Sequence, residues 1–222
     1  MREQGRFDTT EILVDGAATR EKIRQALTVS LRNATAAGDT VLLAWSGRIA
    51  RLPDDDDDED GGCDTVLLPH DARCGDAAQL RASGITDDDL CDWVRDLDGR
   101  TVVMLIDGCD DTRLPAAACG AEVEGGGPFD REVARMNELG QRRVAVVAAV
   151  RPGEVPLAKP DGSASEMTAL LVERMRSGEG SLTVAAAYAA VAPTLERLAQ
   201  ECRSPAAPWL VGGAAGAVLV AA

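Results

Sequence analysis

Aromatic residues are scarce in this 222-residue chain, and histidine occurs only once. Phenylalanine, tyrosine and tryptophan make up 3% of the sequence, whereas hydrophobic residues as a whole make up 45%. The core must therefore be built from alanine, valine and leucine, which favours a layered α/β domain over an aromatic-rich β-sandwich. The single histidine and six scattered cysteines, none in a Cys-x-x-Cys pair, argue against a structural zinc site and against a disulfide scaffold.

The chain also lacks an excess of basic residues and a long apolar segment. Its formal net charge is -14, and so acidic a surface repels phosphate backbones and anionic lipids. We therefore expect no nucleic acid and no membrane among its partners, and a protein or peptide partner, especially a basic one, or cations instead. The N-terminus is polar, and the apolar C-terminal run from Pro208 is shorter than the about 20 residues that span a bilayer. These features predict a cytoplasmic protein.

Apolar runs of strand length alternate with amphipathic segments along the chain. Buried strands are predicted at residues 40–45, 101–106 and 143–150, and shorter strands at 10–14 and 64–68. Helices are predicted after Thr19, after Thr86, and at residues 130–138, 165–176 and 183–202. This order predicts an α/β fold with a mostly parallel central sheet and helices on both faces, in a single domain over residues 1–222.

Polar residues and a cysteine follow the three longest predicted strands. The first strand runs into Ser46-Gly47-Arg48, the second into Asp107-Gly108-Cys109, and the third into residues 151–153. In parallel sheets, functional sites form beyond the carboxyl ends of the strands. A cysteine that follows a buried strand and an aspartate is where a peptidase nucleophile could lie, so we expect the candidate site at these strand ends.

Five short motifs, in order, resemble the caspase family and metacaspases in particular. WSGRIA from Trp45 resembles a strand that ends in Ser-Gly-His-Gly, and LIDGCDD from Leu105 resembles a strand that ends in Asp-x-Cys-His-Ser-Gly. Between them lie an acid run, GCDTVLLPHD and ITDDDL, which resemble the family's acidic loop, its Leu-Pro-x-Asp stretch and its next helix start. The resemblance implies a caspase-like fold, with residues about 8–125 similar to the large subunit and about 140–222 similar to the small subunit.

The sequence departs from the family at the catalytic positions. The resemblance places Cys109 at the nucleophile position, but Arg48 replaces the histidine, Ile49 the glycine after it, and Asp110 and Asp111 the His-Ser pair. The family's chemistry needs an imidazole that assists the thiol and protonates the leaving amine. Arginine cannot do this because its guanidinium stays protonated in proteins. We therefore predict a catalytically inactive pseudopeptidase that acts as an interaction or regulatory module.

Two alternative functions stay open. One is a divergent cysteine endopeptidase with Cys109 as nucleophile, His70 or an external group as base, and a preference for basic residues. The other is a non-enzymatic subunit whose sheet a partner chain completes, because the family's first strand and first helix have no counterpart before residue 8. An incomplete sheet would expose strand edges that pair readily, so a homodimer is a further expectation.

Four aspartates carry the remaining site predictions. Asp107 resembles the family aspartate that receives a basic side chain in the specificity pocket; the alternative is a strand-end aspartate that pairs with Arg48 or caps a loop. Asp71, Asp87 and Asp88 match the aspartates that bind calcium in many metacaspases, and calcium needs several converging oxygens. The alternative is helix capping by residues 87–89. The resemblance thus implies no required cofactor and calcium as the candidate cation, whereas the acid run at 54–60 is expected to be a solvated loop.

Overall fold

The computed structural model describes residues 7–55, 62–110, 129–138, 143–150, 154–162, 164–177, 182–204, 206–214 and 216–220. Its helical segments are a 3-10 helix at Asp15–Ala17, α1 (Arg20–Gln25), a π-helical segment at Ala26–Leu31, α2 (Arg32–Ala34), α3 (Ala77–Ser83), α4 (Asp87–Val94), α5 (Asp130–Glu138), α6 (Glu166–Arg176) and α7 (Val184–Cys202). Its strands are β1 (Thr40–Pro53), β2 (Cys63–Leu67), β3 (Ile85–Thr86), β4 (Thr101–Asp110), β5 (Arg143–Ala148), β6 (Leu182–Thr183), β7 (Trp209–Gly212) and β8 (Val218–Val220).

Six of these strands form one sheet in the order β3-β2-β1-β4-β5-β7. The three central strands, β1, β4 and β5, are parallel, and the outer strands pair in an antiparallel way. Strand β2 pairs with β1 only from Ile49 onward, so among the described strands β4 alone pairs with the first half of β1. Strands β6 and β8 form a separate antiparallel pair.

Alternation along β4 divides the core into two layers, one on each face of the sheet. Val102, Met104 and Ile106 pack in a cluster with residues of α4, α5 and the first helical segments. Val103 and Leu105 pack in a second cluster with α6 and α7. Because successive strand residues point to opposite faces, helices cover both sides of the sheet, as the sequence predicted. Within the described residues, no helix is both long and apolar enough to cross a membrane.

The predicted helix starts are confirmed by their capping side chains. Thr19 accepts a hydrogen bond from the backbone N–H of Lys22 at the start of α1. Thr86 and Asp89 form a capping box at the start of α4, in which each side chain accepts a backbone N–H of the other residue. The predicted helices at 130–138, 165–176 and 183–202 are also present, as α5, α6 and α7.

The predicted strand at residues 10–14 is wrong. This stretch has no regular structure, and Ile12 and Val14 are 55% and 60% exposed. A strand is stable only with a neighbour that takes its backbone hydrogen bonds. No described strand lies beside residues 10–14, so their β-forming side chains have no sheet to join.

The two central strands continue beyond the predicted ends at residues 45 and 106. β1 and β4 stay paired to Ile49 and Asp110, and β1 then pairs with β2 as far as Pro53. The residues that the sequence placed just after the strands therefore lie within them. The third predicted strand end, at 151–153, lies outside the described residues.

Candidate functional site

Arg48 and Cys109 are direct partners in the register between β1 and β4. The pairs Ser46–Asp107, Gly47–Gly108 and Arg48–Cys109 follow one another without interruption at the carboxyl ends of the two strands. Residues opposite each other in a parallel pair point to the same face of the sheet. The side chains of Arg48 and Cys109 therefore leave the sheet on the same face, from the two positions that resemble the family's histidine and nucleophile.

The face on which these side chains lie is the one covered by α6 and α7. Leu42, Val103 and Leu105 lie on the same face of the two strands as the site residues, and they belong to the core cluster of that layer. Arg48 is exposed, and Cys109 is partly buried and forms no disulfide. The site thus opens at the end of the sheet, above this core.

Asp107 is held by the start of α6. It is 7% exposed, and its Oδ2 accepts hydrogen bonds from the hydroxyls of Ser165 and Thr168. Ser165 is also the N-cap of α6, because its Oγ accepts the backbone N–H of Thr168 at 3.1 Å. The carboxylate is therefore part of a structural junction between β4 and α6.

The opposite face of the same two strands is tightly filled. A methyl carbon on Gly108 would lie 2.6 Å from Cγ2 of Ile49, which is 4% exposed. A methyl carbon on Gly47 would lie 3.2 Å from Nε1 of Trp45. Ile49, at a position that resembles a family glycine, thus packs against Gly108 on the face of the sheet opposite Arg48 and Cys109.

A second candidate site is an acidic cluster at the opposite side of β1. Carboxylate oxygens of Asp64, Asp87 and Asp88 all lie within 4.8 Å of one another. Asp64 is fully buried and Asp87 is 2% exposed. Asp87 Oδ2 accepts the backbone N–H of Thr65 at 2.7 Å, which fixes the start of α4 against β2.

Asp64 is the most constrained acid of this cluster. Its Oδ2 accepts a hydrogen bond from Arg81, and its Oδ1 is buried with no hydrogen-bond partner among the described residues. Burial raises the pKa of Asp64 above its usual value, although the hydrogen bond from Arg81 acts in the opposite direction. A buried carboxylate oxygen without a donor is costly, and a cation relieves that cost. The three carboxylates therefore fit calcium, which binds hard oxygens.

Asp71, the third predicted calcium ligand, is not part of this cluster. It is exposed, and its Oδ1 accepts the backbone N–H of Arg20 at 2.9 Å, near the start of α1. The structure therefore brings Asp87 and Asp88 together with Asp64. The capping alternative holds for Asp89, which completes the capping box of α4 and also accepts two hydrogen bonds from Nη2 of Arg20, each at 2.7 Å.

Residues 6–114 match the family model described as metacaspase, peptidase C14 domain. The chain has a caspase-like fold of the metacaspase branch. Among solved structures, it is similar to protein GSU0716 from Geobacter sulfurreducens, with 18% identity and a TM-score of 0.57. That match covers 90% of this chain and 75% of the other, and it bears on the fold alone. Curated protein sequences contain no match to this chain.

In this metacaspase-like fold, His70 lies in the loop after β2. The backbone N–H of Leu68 donates to the carbonyl of Arg48, and the backbone N–H of His70 donates to the carbonyl of Ala18. β2 and β4 flank β1 on opposite sides, so β1 separates His70 from Cys109. The imidazole is exposed. The side chain of Asp110 and all of Asp111 lie outside the described residues.

Sequence reasoning missed the partners of two buried aspartates, Asp107 and Asp64. Ser165 and Thr168 have the spacing of a helix N-cap and its third residue, which predicts the cap but not the contact with Asp107. Asp64 could have been noticed, because it is an acid at the start of an otherwise apolar strand. Its pairing with Arg81 depends on how α3 packs against β2, and the sequence pattern does not predict that arrangement.

Proposed function

We propose that this chain is a caspase-fold interaction module that does not hydrolyse peptide bonds at Cys109. The register pairing of Arg48 with Cys109 carries the proposal. A thiol needs a neighbour that accepts its proton and then donates one to the leaving amine. The guanidinium of Arg48 stays protonated and can do neither step. Protein or peptide partners fit the net charge of -14 if their binding segments are basic.

Peptide hydrolysis tests this proposal directly. Fluorogenic peptides with arginine, lysine or aspartate at the cleavage position should not be turned over by the purified chain, with or without calcium. Hydrolysis above the no-enzyme rate that disappears in Cys109→Ala would contradict the proposal. A repair experiment sharpens it: Arg48→His combined with Asp110→His and Asp111→Ser should raise turnover, whereas Arg48→Gln in the same background should not.

The divergent peptidase remains a second candidate, favoured by the buried Asp107 beside the thiol. Its carboxylate suits a basic side chain of a substrate, but Ser165 and Thr168 already donate to it. A peptidyl electrophile with arginine next to its reactive group separates the two functions. Labelling of Cys109 that is lost in Asp107→Ala favours the peptidase, and an unlabelled Cys109 at neutral pH favours the interaction module.

We also propose that the acidic cluster binds calcium. Asp64, Asp87 and Asp88 would supply its carboxylate oxygens, and bound calcium would hold the start of α4 against β2. Calcium should raise the melting temperature of the wild-type chain, and Asp64→Asn should remove most of that rise. Asp71→Asn is the matched control and should keep it, because Asp71 contacts the start of α1 instead. Loss of the calcium effect in Asp71→Asn but not in Asp64→Asn would overturn this assignment.

A further inference from the structure

Among the described residues, no strand pairs with the outer edge of β1, opposite β4, over residues 40–47. β2 joins that edge only at Ile49. On the other side, β4 pairs with β1 from Thr40 to Ile49 without a gap. A strand in the middle of the sheet is therefore open along half of its length, within the part of the chain that the structure describes.

Two hydrogen bonds show which backbone groups face the open edge. The carbonyl of Asp39 accepts from Thr101 N on the β4 side at 2.9 Å, and the carbonyl of Arg48 accepts from Leu68 N on the β2 side at 3.0 Å. Alternate residues direct their N–H and C=O groups to opposite sides of a strand. The groups of Thr40, Leu42, Ala44 and Ser46 therefore point outward. None of these four has a backbone partner on that side among the described residues.

The sequence of this edge lacks two features that often protect a free strand. Residues 40–47 contain no charged residue and no proline. Their apolar run is typical of a strand buried between two neighbours. Ala44 is nevertheless exposed, and Leu42 is only half-buried, whereas its register partner Val103 is fully buried. The burial pattern indicates that a further element belongs beside β1.

The chemistry of the edge specifies its occupant. Alternating donors and acceptors over eight residues match only another extended backbone, as in strand addition. A second copy of this chain would also carry a net charge of -14, and the repulsion between two such acidic chains disfavours it. Exposed acids also lie nearby in the chain: Asp39 immediately precedes the edge, and Asp8 follows Phe7, which packs in the same cluster as Leu42.

We infer that the outer edge of β1 binds an extended strand of a partner protein, apolar along its length and flanked by lysine or arginine. This inference rests on the proposed function as an interaction module. It does not depend on Cys109, because the edge lies on the opposite side of β1. The binding site of the module is then the backbone of Thr40, Leu42, Ala44 and Ser46, and sequence selection comes from the apolar faces and the basic flanks.

The test uses a fluorescent synthetic peptide of about ten residues, with valine and isoleucine along its centre and two lysines at each end. It should bind the full wild-type chain, as measured by fluorescence anisotropy, and bind more weakly at high salt. Ala44→Pro removes one outward N–H and should weaken binding by about tenfold or more, whereas Ala44→Ser keeps that N–H and should not. Cys109→Ala should bind like wild type.

Three results would overturn the inference. One is that the peptide does not bind, or binds Ala44→Pro as well as Ala44→Ser. Another is that a peptide methylated at alternate backbone nitrogens binds the wild-type chain equally well. This measurement uses the wild-type protein alone, so it does not depend on whether a variant folds. The third is a wild-type dimer, by light scattering, that Ala44→Pro converts to a monomer, because a second copy would then occupy the edge. Peptide hydrolysis at Cys109 would contradict the proposed lack of catalytic activity, but it would leave the inference of strand binding at the β1 edge unchanged.

Discussion

β1 and β4 lie side by side and share the candidate site residue for residue, but their environments differ. β4 has a parallel neighbour on each side, and most of its residues from Val102 to Gly108 are buried. Within the described part of the chain, β4 is the one strand that pairs with β1 before Arg48, and most β1 residues from Leu42 to Arg48 are half-buried or exposed. The two strands begin with similar apolar sequences, but the side chains of β4 are more buried than those of β1. The difference teaches that position in the sheet, and not residue type, decides how much each strand contributes to stability.

The largest contrast is expected between Met104 and Leu43, which are register partners on the same face. Met104 is 1% exposed, so Met104→Ala leaves a buried cavity and should cost about 2–5 kcal/mol. Leu43→Ala should cost less than about 2 kcal/mol, because Leu43 is already partly solvated. Urea unfolding followed by circular dichroism measures both. Equal losses would mean that β1 is as well enclosed as β4 in solution.

A smaller contrast is expected between the paired glycines. Gly108→Ala places a methyl group against the buried Ile49 and should cost about 1–3 kcal/mol. Gly47→Ala meets the ring of Trp45 at a longer distance, and should cost less than about 1 kcal/mol. Thermal unfolding compares them. If the contact with Ile49 is the cause, Gly108→Ala combined with Ile49→Ala should cost less than the sum of the two single changes.

The smallest contrast is expected between Asp107 and Ser46. Asp107→Ala leaves the hydroxyls of Ser165 and Thr168 without their acceptor and should cost about 1–2 kcal/mol in the free energy of unfolding. Ser46→Ala, at an exposed position opposite, should change it by less than about 0.5 kcal/mol. Asp107→Asn keeps an acceptor oxygen and should lie between them. A loss in Asp107→Ala no larger than that in Ser46→Ala would show that the junction with α6 contributes little.

Much of the fold could be predicted because its signals are local. Apolar runs marked β1, β4 and β5, and Thr19 and Thr86 marked helix starts by their capping side chains. Strand ends were less accurate, because the pairing of Ser46–Ile49 with Asp107–Asp110 depends on a neighbour far along the chain. The strand at residues 10–14 failed for the same reason: β propensity does not reveal whether a partner strand exists.

The candidate site was predictable in part. The pairing of Arg48 with Cys109 could be expected from the motifs, because each residue comes after an apolar run and the fold places the two strands side by side. The acidic cluster was only partly predictable. Asp87 and Asp88 were expected, but Asp64 replaces Asp71 because β2 carries Asp64 into the interior, whereas Asp71 lies in an exposed loop. Burial of a single acid depends on tertiary packing, which residue spacing does not report.

The contacts of Arg20 have a consequence for the order of folding. Its guanidinium donates to the carbonyl of Gly84 and to Asp89, which lie 64 and 69 residues further along the chain, and it stacks 5.0 Å from the ring centre of Trp93. Contacts at such separation form late, because closing a long loop costs chain entropy before the contact returns any energy. During synthesis, Arg20 of α1 therefore cannot make these contacts until the residues up to Trp93 have been synthesised and have formed α4.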